Sequence, residues 1–238
     1  MKNLFRSYAA LDKESRIKKA QKIVNIISKY KDIKDSSILD IGCGSGYVGH
    51  LLDKRSKLYI GLDYVDERKI QSFRFFRGTA SSIPFKDGSF DIIICNHVLE
   101  HVPDQGKLIN EIYRLLKKDG ICYITSPNKL WPMEPHLKLP FLSIMPRKIA
   151  NMYVRIAGRG KIYDVVPLTY SQFRRKLGKK FRFENYTLEI LMNPKNYGFN
   201  GKLYSIFSVS KFLPRFLLNS INYFLPNWIV ILRKRASS

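Results

Sequence analysis

The sequence is poor in three things, and each scarcity removes a class of protein. Only three cysteines, Cys43, Cys95 and Cys122, occur in 238 residues. An odd number at such wide spacing builds neither a disulfide framework nor a zinc site. All three lie in or beside apolar runs, so they read as small buried hydrophobes in a reducing compartment. No apolar run spans a bilayer comfortably. The longest charge-free stretch, residues 216–232, has 17 residues and contains Pro226 and three asparagines. The opening Met1-Lys2-Asn3-Leu4-Phe5-Arg6 lacks the apolar core of a secretory leader. These features predict a cytoplasmic chain, soluble or peripheral at a membrane. Acidic residues are the third scarcity: 19 Asp and Glu face 42 Lys and Arg, a formal net charge of +23.

That deficit is uneven. Residues 1–128 hold 22 basic and 15 acidic side chains (+7), whereas residues 129–238 hold 20 and 4 (+16). A field of this size attracts polyanions: anionic lipid, nucleic acid or phosphorylated substrates. A lysine-rich, solvated surface is the plainer account. Apolar residues make up 45% and aromatics 13%, a composition that forms a core and excludes disorder. The length suits one α/β domain, so 1–238 reads as a single domain.

The chain is organised around Ser36-Ser37-Ile38-Leu39-Asp40-Ile41-Gly42-Cys43-Gly44-Ser45-Gly46. Ile38, Leu39 and Ile41 read as a buried strand, and Tyr47 to Leu52 as a helix. A glycine-rich turn between strand and helix offers backbone N–H groups and a positive helix end to a ligand. The spacing is Gly-x-Gly-x-Gly, which departs from the Gly-x-Gly-x-x-Gly of dinucleotide sites. Asp63 closes a second apolar run, Leu58 to Leu62. A carboxylate there can accept both hydroxyls of a ribose, so turn and carboxylate together read as a nucleoside site.

Further along, apolar runs alternate with amphipathic helices, which implies a parallel sheet. The spacing predicts a helix over 12–30 and strands near 36–41, 57–62 and 73–77, with one helical turn over Asp66–Ile70. It then predicts a strand over 90–95, a helix over 104–117 ended by Gly120, and a strand over 121–125. Residues 127–166 break the pattern with Pro127, Pro132, Pro135, Pro140 and Pro146, among aromatics and methionines. A loop that long is functional or disordered, and its aromatic content argues for function. A helix over 169–177 and strands over 181–191 and 228–232 follow. Residues 199–224 read as amphipathic helices broken at Pro214. They suit either packing on the sheet or lying in a lipid interface.

The motifs at 36–63, together with Pro84–Asp91 leading into Ile92–Asn96 and then His97-Val98-Leu99-Glu100-His101-Val102-Pro103-Asp104, resemble those of class I S-adenosylmethionine-dependent methyltransferases. The likeness is greatest to the broad group that includes quinone-biosynthesis enzymes, and it covers about residues 36–128. It implies a Rossmann-like α/β fold: seven mostly parallel strands in the order 3-2-1-4-5-7-6, helices on both faces, and a lid after strand five. It also implies S-adenosyl-L-methionine as cofactor. The expected contacts are Asp40, the Gly42-Cys43-Gly44-Ser45-Gly46 backbone, Asp63 on the ribose, Thr79 and Ala80 near adenine, and Asn96 under the methionine end. Thr79 stands where the family often has an acid. Asp40 also suits a turn-stabilising carboxylate, and Asn96 a helix cap.

His97, Glu100 and His101 spell an inverted zinc-protease motif, but here it opens off a strand end and not within a helix. Some ubiquinone O-methyltransferases bind a divalent metal through Glu-x-x-Glu-His at this place. His97 replaces the first Glu, and no metal ligand is assigned. Glu100 and His101 are expected to hydrogen-bond each other or to leave His101 as a base. His136 in the insertion is a second candidate base. The leading expectation is methylation of a small or lipid-linked acceptor, at oxygen or carbon, with an anionic membrane surface as an expected partner. A second reading is an RNA methyltransferase using the basic half, although no Asn-Pro-Pro-Tyr-like motif follows strand four. A third is a donor-binding protein without catalysis.

Overall fold

Strands that are apolar throughout are buried on both faces, and their pleat sends successive side chains to opposite sides. In the computed structural model, which describes residues 13–193 and 220–235, β1 (Ser37–Ile41) lies between β2 (Leu58–Asp63) and β4 (Phe90–Asn96), parallel to both. β3 (Arg74–Arg77) adds outside β2, and β5 (Leu116–Pro127) outside β4. β7 (Asn227–Lys234) runs antiparallel between β5 and β6 (Phe181–Asn185). The order is 3-2-1-4-5-7-6, as the family resemblance implies.

The pleat divides the core in two. Ile92 and Ile94 of β4 join Ile38 on one face, against Ile23 and Ile27 of α1 (Lys13–Ile27). Leu52 of α2 (Tyr47–Leu52) and Ile190 of α6 (Thr187–Met192) complete that layer. Ile93 and Cys95 join Leu39 and Ile41 on the other face, against Leu108 and Ile112 of α3 (Gln105–Leu115) and Phe173 of α5 (Tyr170–Gly178). Each such fully buried side chain contributes roughly 1.5–3 kcal/mol. The three cysteines are free and buried, as expected.

Four local expectations are corrected. Residues 66–70 carry no helical turn. Arg68 instead pairs with Asp66 (Nε to Oδ1, 2.8 Å) and donates to the Phe73 carbonyl, while Lys69 N donates to the Ser45 carbonyl at 3.0 Å. That pulls the segment across the glycine turn. Gly120 does not end a helix, because β5 already begins at Leu116. A Cβ at Gly120 would stand 2.9 Å from Leu116 Cδ1 and 3.0 Å from the Asp91 carbonyl, so close packing is what requires glycine. The strand expected over 181–191 stops at Asn185, whose Oδ1 accepts from Thr187 N at 2.9 Å and turns the chain into α6. The insertion over 127–166 is partly helical: a 3-10 turn (Leu142–Ile144) precedes α4 (Arg147–Ile156). These pack over a small core of their own, with Leu139, Leu142, Ala150, Val154, Tyr163 and Val165 buried together. Of residues 199–224, only the last five are described, ending in a 3-10 turn (Asn222–Phe224).

Candidate active site

Parallel α/β sheets bind ligands outside the carboxyl ends of their strands. Here β1, β2 and β4 end side by side, with Ile41 paired to Leu62 and to Cys95. After β1 the chain turns through Gly42, Gly44 and Gly46, all at positive φ (73°, 49° and 84°). Gly42 N and Cys43 N both donate to the Leu62 carbonyl, which ties the turn to β2. A Cβ on Gly42 would lie 2.3 Å from Val98 Cγ2, so that side of the turn is filled. Gly44 differs: the nearest atom to a Cβ there is the Gly42 carbonyl oxygen at 4.0 Å. The space over Gly44 is open.

Asp63 stands at the rim of that space. Its Oδ2 accepts from Gly44 N at 2.9 Å and its Oδ1 from Tyr64 N at 2.8 Å. Burial raises its pKa, against the lowering effect of those backbone donors. An open glycine cradle bordered by a carboxylate is a shape and charge that a ribose and its sulfonium-bearing amino acid fit. Thr79 and Ala80 follow β3, and Gly78 N donates to the Asp63 carbonyl at 3.0 Å. Thr79 is exposed and Ala80 half-buried, on the same flank as Asp63.

Asp40 sits otherwise. It is 2% exposed and accepts the Tyr59 hydroxyl at 2.5 Å, so its carboxylate faces a side chain of β2. Burial pushes its pKa up to about 7, and Tyr59 works against that shift. The bond to Tyr59 links β1 to β2. Asn96, at the end of β4, accepts the Thr125 hydroxyl on Oδ1 at 3.0 Å, and Thr125 Oγ1 accepts from His97 N at 3.0 Å. One threonine of β5 thus fixes both residues, and Asn96 caps no helix.

His97 has φ of 56°, a left-handed conformation rarely adopted outside glycine, and its Nδ1 lies 3.1 Å from Glu100 Oε1. The expected Glu100–His101 bond is therefore replaced by a Glu100–His97 bond. The other oxygen of Glu100, Oε2, is buried without a hydrogen-bond partner. His101 belongs to the 3-10 turn Leu99–His101, and its ring meets that of His136 edge to face at 4.9 Å. Burial lowers the pKa of both His97 and His101. His136 is itself held by Glu134, with Oε1 at 2.8 Å from Nδ1. Glu134 is 1% exposed. Glu100, His101 and His136 each offer one ligand atom, all within 4.8 Å of one another, so their donor types also suit a divalent cation.

The insertion over 127–166 is tied to this floor through its backbone. Val166 N donates to the Glu100 carbonyl at 2.8 Å, and Gln105 Nε2 donates to the Val166 carbonyl at 2.9 Å. At the other end Asn128 Nδ2 donates to the carbonyls of Tyr223 and Leu225. Sequence reasoning missed Thr125, Glu134 and Asn128. It also missed Arg16 of α1, whose Nη1 donates to Ser45 Oγ at 2.6 Å across the glycine turn. Polar residues flanked by apolar ones, at the end of a strand or in a lid, were the available signal.

Residues 39–124 match the family described as "Methyltransferase domain". An uncharacterized methyltransferase of Bacillus subtilis, YcgJ, is 36% identical over 94 residues, which cover 35% of this chain and 37% of that protein. A demethylmenaquinone methyltransferase of Lactococcus lactis is 31% identical over 131 residues, 48% of this chain and 52% of that protein. The chain thus spans roughly two fifths to a half of these relatives' length. In fold, the PH0226 protein of Pyrococcus horikoshii superposes with a TM-score of 0.62 at 14% identity, over 98% of this chain and 97% of its own. A putative sarcosine dimethylglycine methyltransferase of Galdieria sulphuraria gives 0.56 at 15% identity, over 92% and 86%.

Proposed function

We propose that this protein, whose residues 39–124 match the methyltransferase-domain family, is a class I S-adenosylmethionine-dependent methyltransferase that methylates an oxygen or acidic carbon of a small or lipid-linked acceptor held under the lid. When bound, S-adenosylmethionine supplies an activated methyl group that passes in line to the acceptor and leaves S-adenosylhomocysteine. The backbone of Gly42–Gly46 and the Asp63 carboxylate would hold its nucleoside, and Asn96, fixed by Thr125, would border its methionine end.

The observation that carries the acceptor reading is the His101–His136 ring contact between the end of β4 and the lid. A hydroxyl or carbon acid must lose a proton as its new bond forms, and neutral imidazole takes that proton. Burial lowers the His101 pKa, so this ring stays neutral to a lower pH than usual. Glu134 orients His136 for the same task.

The test is incubation with methyl-labelled donor and fractionated cell extract, beside calorimetry with S-adenosylhomocysteine. Label in a small-molecule or lipid fraction, lost in His136→Ala with S-adenosylhomocysteine binding retained, is the expected result. Label in RNA would replace the acceptor class, a reading the basic half favours. Binding without label in any fraction would leave a non-catalytic donor-binding protein.

A further inference from the structure

The lid carries a second surface, turned away from its own core. In α4, Ala150 and Val154 are fully buried in that core. Ile149, Met152 and Ile156 follow one another at spacings of three and four, so they share a different stripe of the helix. All three are exposed, at 49%, 52% and 78%. Phe141 and Ile144, just before the helix, are also half-exposed. A soluble helix ordinarily turns one apolar stripe inward and polar residues outward. This one has an inward apolar stripe and a second apolar stripe facing out.

The charges around that stripe have one sign. The exposed charged residues of the lid are Lys138, Arg147, Lys148, Arg155, Arg159 and Lys161. Its two acids are hidden or partly so: Glu134 is buried and Asp164 half-buried. Lys148 and Arg155 flank the stripe on α4 itself. A symmetric contact between two copies would set these cations against each other. Residues 194–219 contain basic residues and no acid, so charge opposes their covering it too. An exposed apolar stripe whose exposed flanking charges are all cationic is complementary to anionic lipid, whose headgroups meet the cations while the apolar residues enter the acyl boundary. No helix among the described residues is long and apolar enough to cross a membrane.

We propose that α4 and the turn before it form a docking face for anionic membrane, with Ile149, Met152 and Ile156 inserting and Lys148 and Arg155 contacting headgroups. The same lid carries His136, so docking would present the acceptor cleft at the lipid surface. Only that last consequence rests on the function proposed above.

The test is flotation of the full chain with phosphatidylcholine vesicles, with and without about 30% phosphatidylglycerol, at roughly 0.05 M and 0.5 M salt. The triple variant Ile149→Ser, Met152→Ser, Ile156→Ser is compared with Lys148→Glu, Arg155→Glu. Wild type is expected to float with the anionic vesicles at low salt. Each variant is expected to weaken binding at least about tenfold while melting within about 2 °C of wild type. Failure of wild type to bind anionic vesicles overturns the proposal. So does a triple variant that binds like wild type, since that would mark diffuse charge as the cause. So does a triple variant that melts far lower, since the stripe would then be packed inside the fold. Light scattering that shows a wild-type dimer turned monomeric by the triple variant would assign the face to a second copy and overturn it as well. S-adenosylhomocysteine affinity, unchanged throughout, separates these outcomes from failure of the donor site.

Discussion

Replacing Gly44 with alanine should separate ligand binding from stability. Gly44 has φ of 49°, and a left-handed conformation costs an alanine about 1–2 kcal/mol. No steric cost is added, because the nearest atom to the new Cβ is 4.0 Å away. For a chain of this size that corresponds to a fall in Tm of about 2–8 °C. The Gly44 N–H survives and still donates to Asp63. The methyl group, however, stands in the open space where the donor's close approach is required. Overpacking of that kind costs about 1–3 kcal/mol, so S-adenosylhomocysteine should bind about fivefold to 150-fold more weakly by calorimetry. Gly42→Ala is the control. Its Cβ would meet Val98 Cγ2 at 2.3 Å, at φ of 73°. Strain and overpacking together should cost about 2–5 kcal/mol and lower Tm by roughly 4–20 °C. A folded Gly44→Ala variant that binds S-adenosylhomocysteine within about twofold of wild type would refute the cradle.

Asp40→Asn tests the buried carboxyl. Its folded pKa is raised to about 7 from an ordinary 3.8, so between those values the folded state keeps a proton that the unfolded state has released. Wild-type stability should therefore decline as pH rises from about 4 to about 7, by up to about 4 kcal/mol, and the asparagine variant should lose that slope. Parallel urea melts across that range measure it, and an unchanged slope contradicts the assignment. Asn128→Ala should destabilise by about 2–4 kcal/mol, because its 2% exposed side chain makes three hydrogen bonds, to the Tyr223 and Leu225 carbonyls and from Leu130 N. Limited proteolysis should then nick residues 129–166 before the rest, and a lid cut no faster than in wild type would show that Asn128 does not anchor it.

What the sequence by itself determined is what short-range chemistry controls. A strand buried on both faces is continuous apolar sequence, and a turn that needs left-handed backbone needs glycine. Both are written within a few residues, so β1, the Gly42–Gly46 turn and Asp63 were legible, and with them the sheet that carries them. Tertiary structure decided what depends on partners distant in sequence. Asp40 turned to Tyr59 because β2 lies beside β1. Glu100 took His97 in place of His101 because the left-handed backbone at His97 brings that ring back over the turn. His101 met His136 only once the lid folded over β4, and α4 kept an apolar stripe outside because Ala150 and Val154 had filled the inside. Periodicity tells that a helix has an apolar side; which side finds a partner is decided by the space that the rest of the chain leaves beside it.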